Sequence, residues 1–209
     1  MESKDTRNEI FTIILASLIL ALTVSFKNTA GIYYAGISFL IIISANVATK
    51  KIVGYFLETD VQTKFWSWYR FGFRKDSHFK SPVPMAWLPL LLALFTKGFF
   101  WWLAILEFDV KAKSERVSRR HGLYRFTEVT EWHMAWIATW GLIINAALAI
   151  VAYLAGFELF TKLSMYYIVW SLVPLSKLDG SRIFFASRAM WITIVTIALI
   201  ILGWMLTVI

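Results

Sequence analysis

The chain has no cysteine, so disulfides and thiolate metal sites are excluded. It has only three histidines and four prolines in 209 residues. His78, His121 and His133 are scattered, with no pair four apart, so no helix carries a ready two-histidine metal face. Acidic residues number 13 against 21 Lys and Arg, giving a net charge of +8. No internal repeat and no low-complexity tract is present, which argues against a solenoid or a repeat-built transporter. Charge itself is scarce at 16% of residues, while 59% are hydrophobic and mean hydropathy is +0.65. Soluble domains sit near 45–50% apolar. The chain is therefore expected to be a polytopic membrane protein, a single membrane domain over 1–209. Its 11 Trp and 17 Phe suit interfacial belts and lipid-facing helices. The opening MESKDTRNE is mixed in charge and no small-residue cleavage site follows, so the first apolar run is expected to be retained as a span.

Apolar segments lie at about 10–26, 30–49, 85–106, 132–159, 164–176 and 189–209. A full span needs about 20 apolar residues. The segments 10–26, 30–49, 132–159 and 189–209 meet that, and 164–176 is expected to cross as an interrupted helix with the residues that follow. Segment 85–106 is irregular: it follows Pro82 and Pro84, contains Pro89 and Gly98, and has Lys97 in its middle. If it crossed, the basic residues of the flanking loops would divide ten against ten. If it dips in and returns, eighteen fall on one side and only Lys27 and Lys162 on the other. Because cytoplasmic loops carry the excess of Lys and Arg, the returning arrangement is preferred. The expected fold class is thus all-α and polytopic. It has about five transmembrane helices plus a re-entrant or β-hairpin element at about 60–110, with the N-terminus cytoplasmic. TKFWSWYRFGF (63–73) alternates aromatic and polar residues, as a hairpin at the interface would.

Two segments carry candidate chemistry. In SLVPLSKLDGSRIFF (171–185), Asp179 and Gly180 lie between apolar runs. They read either as a helix end with a polar turn or as an aspartate at membrane depth, a ligand or proton acceptor. In ATWGLIINAALAI (138–150), Gly141 and Asn145 share a helical face, as packing through a small residue with an interhelical hydrogen bond requires. Glu58, Asp60, Glu107 and Asp109 at the edges of the returning segment read as loop charges. Lys97 is expected to pair with one of them or with Asp179. The basic stretch 111–125 is expected at anionic lipid headgroups, and nucleic acid is not expected as a partner.

The order of these features resembles the site-2 protease family of intramembrane zinc metalloproteases, over roughly residues 30–190, and its short archaeal members above all. Those proteins carry H-E-x-x-H on one helix, then A-G-P-x-x-N, then N-x-x-P-x-x-x-L-D-G. Here the last motif reads Ser171, Pro174, Leu178, Asp179 and Gly180, and the middle one Gly141 and Asn145, with Leu142 where proline is usual. Matching H-E-x-x-H to the second span gives Ala45, Asn46, Val47, Ala48 and Thr49. Both histidine positions and the glutamate general base are then lost. Catalytic zinc takes three protein ligands and a water, and Asp179 alone does not hold it.

The resemblance therefore implies a pseudoprotease in the plasma membrane of a prokaryote. It would have no catalytic residue and no zinc, and Asp179 would be the one retained ligand position. Its partners would be membrane-protein clients, held near Gly141, Asn145, Ser171 and Pro174. Alternatives are an active intramembrane protease with a non-standard, zinc-bearing site and a structural subunit of a larger membrane complex.

Overall fold

The computed structural model describes residues 2–27, 29–70, 78–113 and 129–208. Helix α1 (Glu2–Val24) is joined by a short 3-10 turn to α2 (Ile32–Phe56). Strands β1 (Thr59–Phe65), β2 (Ser67–Arg70) and β3 (His78–Pro84) follow, then the short α3 (Leu88–Phe95) and β4 (Leu106–Ala112). The chain closes with α4 (Glu131–Leu154), α5 (Glu158–Ser171), α6 (Asp179–Ala186) and α7 (Arg188–Val208). Among the described residues, four helices are long and apolar enough to cross a membrane: Thr6–Val24, Thr29–Phe56, Glu131–Leu154 and Arg188–Thr207. They coincide with the four long apolar runs of the sequence. Large apolar side chains face outward along them, among them Phe11, Leu18, Tyr33, Ile37, Ile200 and Leu206. An apolar exterior on this scale suits lipid, not water.

The shorter elements depart from an all-helical picture in one region. Helix α5 has 14 residues, about 21 Å, short of a bilayer's hydrocarbon core. It breaks at 172–178, around Pro174, before the eight-residue α6, so the interrupted course expected there is present. Among the described residues, the strands all fall between α2 and α4. β1 pairs antiparallel with β4, from Thr59 opposite Ala112 to Phe65 opposite Leu106. β2 pairs with β3. Segment 59–112 thus leaves one end of the bundle and comes back to it. Within the aromatic stretch, 63–65 pair with β4, and 67–70 form β2, which pairs antiparallel with the next strand, β3, as the expected hairpin would. Residues 71–73 of that stretch lie outside the described residues.

The return path runs through the protein. Trp102, Leu103, Ala104 and Ile105 are buried, in neither helix nor strand. Ile105 accepts a hydrogen bond from the Trp66 amide at 2.8 Å, and Trp66 stacks on Trp102 at 5.9 Å between ring centroids. Non-helical backbone inside a membrane domain requires this kind of enclosure, because lipid offers no hydrogen bonds. At the far end of the excursion, Gly98 turns the chain with φ +76°. A Cβ there would lie 3.4 Å from that of Phe26. The tip therefore sits at the end of α1, with the Lys27 ammonium over the Phe99 ring. This corrects the expectation for Lys97. It lies in the turn next to that helix end, not midway along a span, and so not at Asp179.

The absence of native cysteine makes the return directly testable. An Asp60→Cys/Lys111→Cys pair, opposite each other in β1 and β4, is expected to form a disulfide quantitatively on mild oxidation. If 85–106 carried the chain across, residue 111 would be about 30 Å away and no cross-link would form.

Candidate functional site

The site forms where α2, α4 and α6 meet. Asn46 and Lys50 are four residues apart on α2, so they share a face. Both are buried, at 1% and 6% exposure. That face meets Gly141 of α4. Asn46 Nδ2 donates to the Gly141 carbonyl at 2.7 Å. A Cβ on Gly141 would lie 2.7 Å from Lys50 Cε and 3.0 Å from Asn46 Nδ2. The missing side chain is the space in which the lysine stem lies.

Lys50 reaches across this gap to Asp179, which opens α6. Its Nζ donates to both carboxylate oxygens, at 2.8 and 2.7 Å. Asp179 is 4% exposed, so the ion pair is sealed on both sides. The Phe108 ring of β4 covers the ammonium at 4.8 Å, and the Arg182 guanidinium lies 5.9 Å from the same ring. Gly180 is fixed by packing: a Cβ there would come within 2.1 Å of the Leu172 carbonyl. Asp179 and Gly180 thus begin a helix instead of ending one. Counting residues, α4 runs ten residues, about 15 Å, from its start to Gly141, and α2 runs six, about 9 Å, beyond Lys50. The pair is therefore set well inside the bundle from that end.

The remaining candidate residues are dispersed. Ala45 and Thr49 are half-buried on the flank of α2. The two α2 positions at the junction are Asn46 and Lys50, one residue further along than the motif match. Asn145 is fully buried. Its carbonyl accepts from Ser164 at 2.9 Å, while its side-chain amide makes no hydrogen bond among the described residues. Ser171 is buried at the end of α5, and Pro174 is exposed in the break. His133 sits at the start of α4 and hydrogen-bonds the Thr130 hydroxyl. The side chain of His78, His121 and most of the basic stretch 111–125 lie outside the described residues. No three His, Asp or Glu side chains converge among the described residues.

The residues at the junction do not fit zinc. An amide already bound to a backbone carbonyl and an ammonium occupy α2. Both oxygens of Asp179 are taken by that ammonium, whose charge repels a second cation.

Two carboxylates of β4 differ from the loop charges expected of them. Glu107 is buried and accepts hydrogen bonds from the Ser67 amide and hydroxyl at 3.3 and 3.4 Å. Burial pushes its pKa up, against the Ser67 amide that holds it down. Asp109 goes the other way. Burial raises it, but its bond to Lys64 at 3.2 Å, with Lys177 and Arg182 nearby, holds it below the usual range. Asp60 is exposed in β1, and Glu58 lies in the turn before it. Glu9, which carried no signal in the sequence, is buried in α1. It accepts the Thr63 amide at 3.0 Å and pairs with Lys51.

Two outcomes follow from these contacts. Lys50→Met leaves Asp179 buried and unpaired, and is expected to cost about 3–5 kcal/mol of stability. The apolar double variant Lys50→Met/Asp179→Leu is expected to recover most of that loss in denaturant titrations of the solubilised protein. Equal losses in single and double variants would show that the pair is not coupled. For Glu107 the folded pKa is raised, so its contribution is full at low pH and is lost as pH rises above about 4.5. Glu107→Gln is expected to remove that decline from the melting temperature measured against pH, and to stabilise the protein at neutral pH.

No protein-family model, curated protein or solved structure matches the chain, so what this junction does is read from its own residues.

Proposed function

We propose that this chain is a non-catalytic homologue of the site-2 proteases that holds segments of other membrane proteins. It crosses the plasma membrane of a prokaryote five times from a cytoplasmic N-terminus. The fifth crossing is the interrupted α5–α6 segment, and 59–112 enters and returns on the cytoplasmic side. One observation carries the non-catalytic reading. Where the resemblance places a metal ligand, Asp179 is bound through both oxygens to Lys50. Neither a Lewis acid nor a general base is available at that point. Both Asp179 oxygens are engaged by Lys50, and the Asn46 amide, bound to the Gly141 carbonyl, takes no proton.

The holding role is supported by the surroundings of the pair. Among the described residues β2 and β3 form a two-stranded sheet, and residues 79–84 of β3 are exposed. An extended segment can add to the Phe79–Ser81 part of that edge through main-chain hydrogen bonds, while Pro82 and Pro84, with no N–H to donate, blunt the rest. The buried Asn145 amide and Ser171, one on each side of the α4–α5 contact, supply polar groups along the same interior. Basic residues of 111–125 meet anionic headgroups at the cytoplasmic face, each worth about 1 kcal/mol near the surface.

The test uses the purified full-length protein and a single-span model substrate with a helix-breaking centre, both in lipid nanodiscs. The expected result is a complex recovered intact, with no cleavage product after prolonged incubation. Cleavage that is abolished by Asp179→Asn would overturn the reading in favour of a protease. Failure to bind any single-span segment would favour a structural subunit instead.

A further inference from the structure

The junction rejects a metal, yet its residues are disposed as a metal's ligands would be. Positions 46 and 50 lie on one face of α2, four apart, and both touch Gly141. Position 179 arrives from a different helix and closes the third side. Asp179 clasps Lys50 Nζ between its two oxygens at 2.8 and 2.7 Å, as a carboxylate holds a bidentate cation. Asn46 and Lys50 thus meet over Gly141 from one helix at i,i+4, and Asp179 meets the Lys50 ammonium from another.

We infer that the Lys50 ammonium is a tethered cation standing at the position where a bound ion would be held from positions 46, 50 and 179. The inference shares with the proposed function the resemblance to a metalloprotease, but not client binding. A covalently attached cation is always present and cannot be removed by a chelator. It neutralises Asp179 and links α2 to α6 without depending on metal supply. It also keeps free divalent ions out, because any ion approaching Asp179 meets the ammonium first.

Gly141 belongs to the same device. Histidines at 46 and 50 would be shorter than the lysine and would leave the space above Gly141 open. The lysine stem fills that space, with Cγ only 3.1 Å and Cε 2.7 Å from a Cβ built there. The i,i+4 spacing is what distinguishes this assignment from the motif match one residue earlier. Ala45 and Thr49 have the same spacing, but lie on the half-buried flank of α2.

The experiment converts the junction back. Full-length Asn46→His/Lys50→His is purified in the presence of zinc, and bound metal is measured by mass spectrometry alongside the melting temperature. The expected result is roughly one zinc per chain and a midpoint raised by zinc. Both effects should vanish when Asp179→Ala is added. Wild type and Ala45→His/Thr49→His are expected to hold none.

A folded Asn46→His/Lys50→His protein without zinc would overturn the inference, as would zinc binding by the Ala45→His/Thr49→His variant. Should the double histidine variant not fold, Lys50→Ala is read instead. Its midpoint is expected to rise with added ethylammonium, a free cation that replaces the lost end of the lysine, while that of wild type does not, and a flat response counts against the inference. Zinc loading reports only the geometry of the junction, so its failure would leave client binding standing. Failure of client binding would likewise leave the tethered cation standing.

Discussion

A single buried ion pair fixes how three helices of this protein meet. At an effective dielectric constant of about 20, two unit charges less than 3 Å apart attract by roughly 6 kcal/mol. Dehydrating them costs several kcal/mol each, so the net gain in stability is modest. What the pair contributes is specificity. Among the described residues, Lys50 bonds no other carboxylate and Asp179 no other cation. Any packing of α2 against α4 and α6 that separates them strands two charges in an apolar interior. Gly141, Gly180, Phe108 and Arg182 all take their places around that constraint. The first gives the lysine stem room, the second lets α6 start against the Leu172 carbonyl, and the ring and guanidinium complete the enclosure.

The returning segment depends on the same geometry from the other side. Phe108 belongs to β4, which reaches the junction only because the chain re-enters through Trp102–Ile105. The tryptophan stack at Trp66 and Trp102 and the amide bond from Trp66 to Ile105 anchor that path. Around it, Glu9 caps the Thr63 amide of β1, while Lys64 and Lys177 flank Asp109 of β4. The strands are thus held by charged contacts from α1 and from the α5–α6 break, while their inner faces pack on apolar core.

Much of this frame was legible in the sequence, for physical reasons that differ between elements. The four long helices follow from run length alone, since nothing but a spanning or fully buried helix uses so many consecutive apolar residues. The return of 85–106 was legible from the distribution of basic residues, although where its tip goes was not. Lys97 looked like a charge at mid-span because its turn, with the left-handed Gly98 beside it, is invisible to a hydropathy reading. Asp179 announced itself as the lone acid between apolar runs. Its partner did not. Lys50 and Lys51 read as one basic cluster at a span's end, but adjacent helix positions differ by about 100°. One turns inward to Asp179 and the other pairs with Glu9. The same one-residue rotation separates the motif match at Ala45 and Thr49 from the inward positions Asn46 and Lys50. A helical face is settled by tertiary packing on a distant glycine, which no local pattern records.

Lys50 holds both oxygens of Asp179, so the native protein is expected to carry no metal there. The measurement that tests it most directly is the zinc content of the native protein, purified without chelator and with zinc in the growth medium. Far less than one zinc per chain is expected, with a melting temperature unchanged by a strong chelator. Stoichiometric zinc that disappears in Asp179→Ala would contradict it.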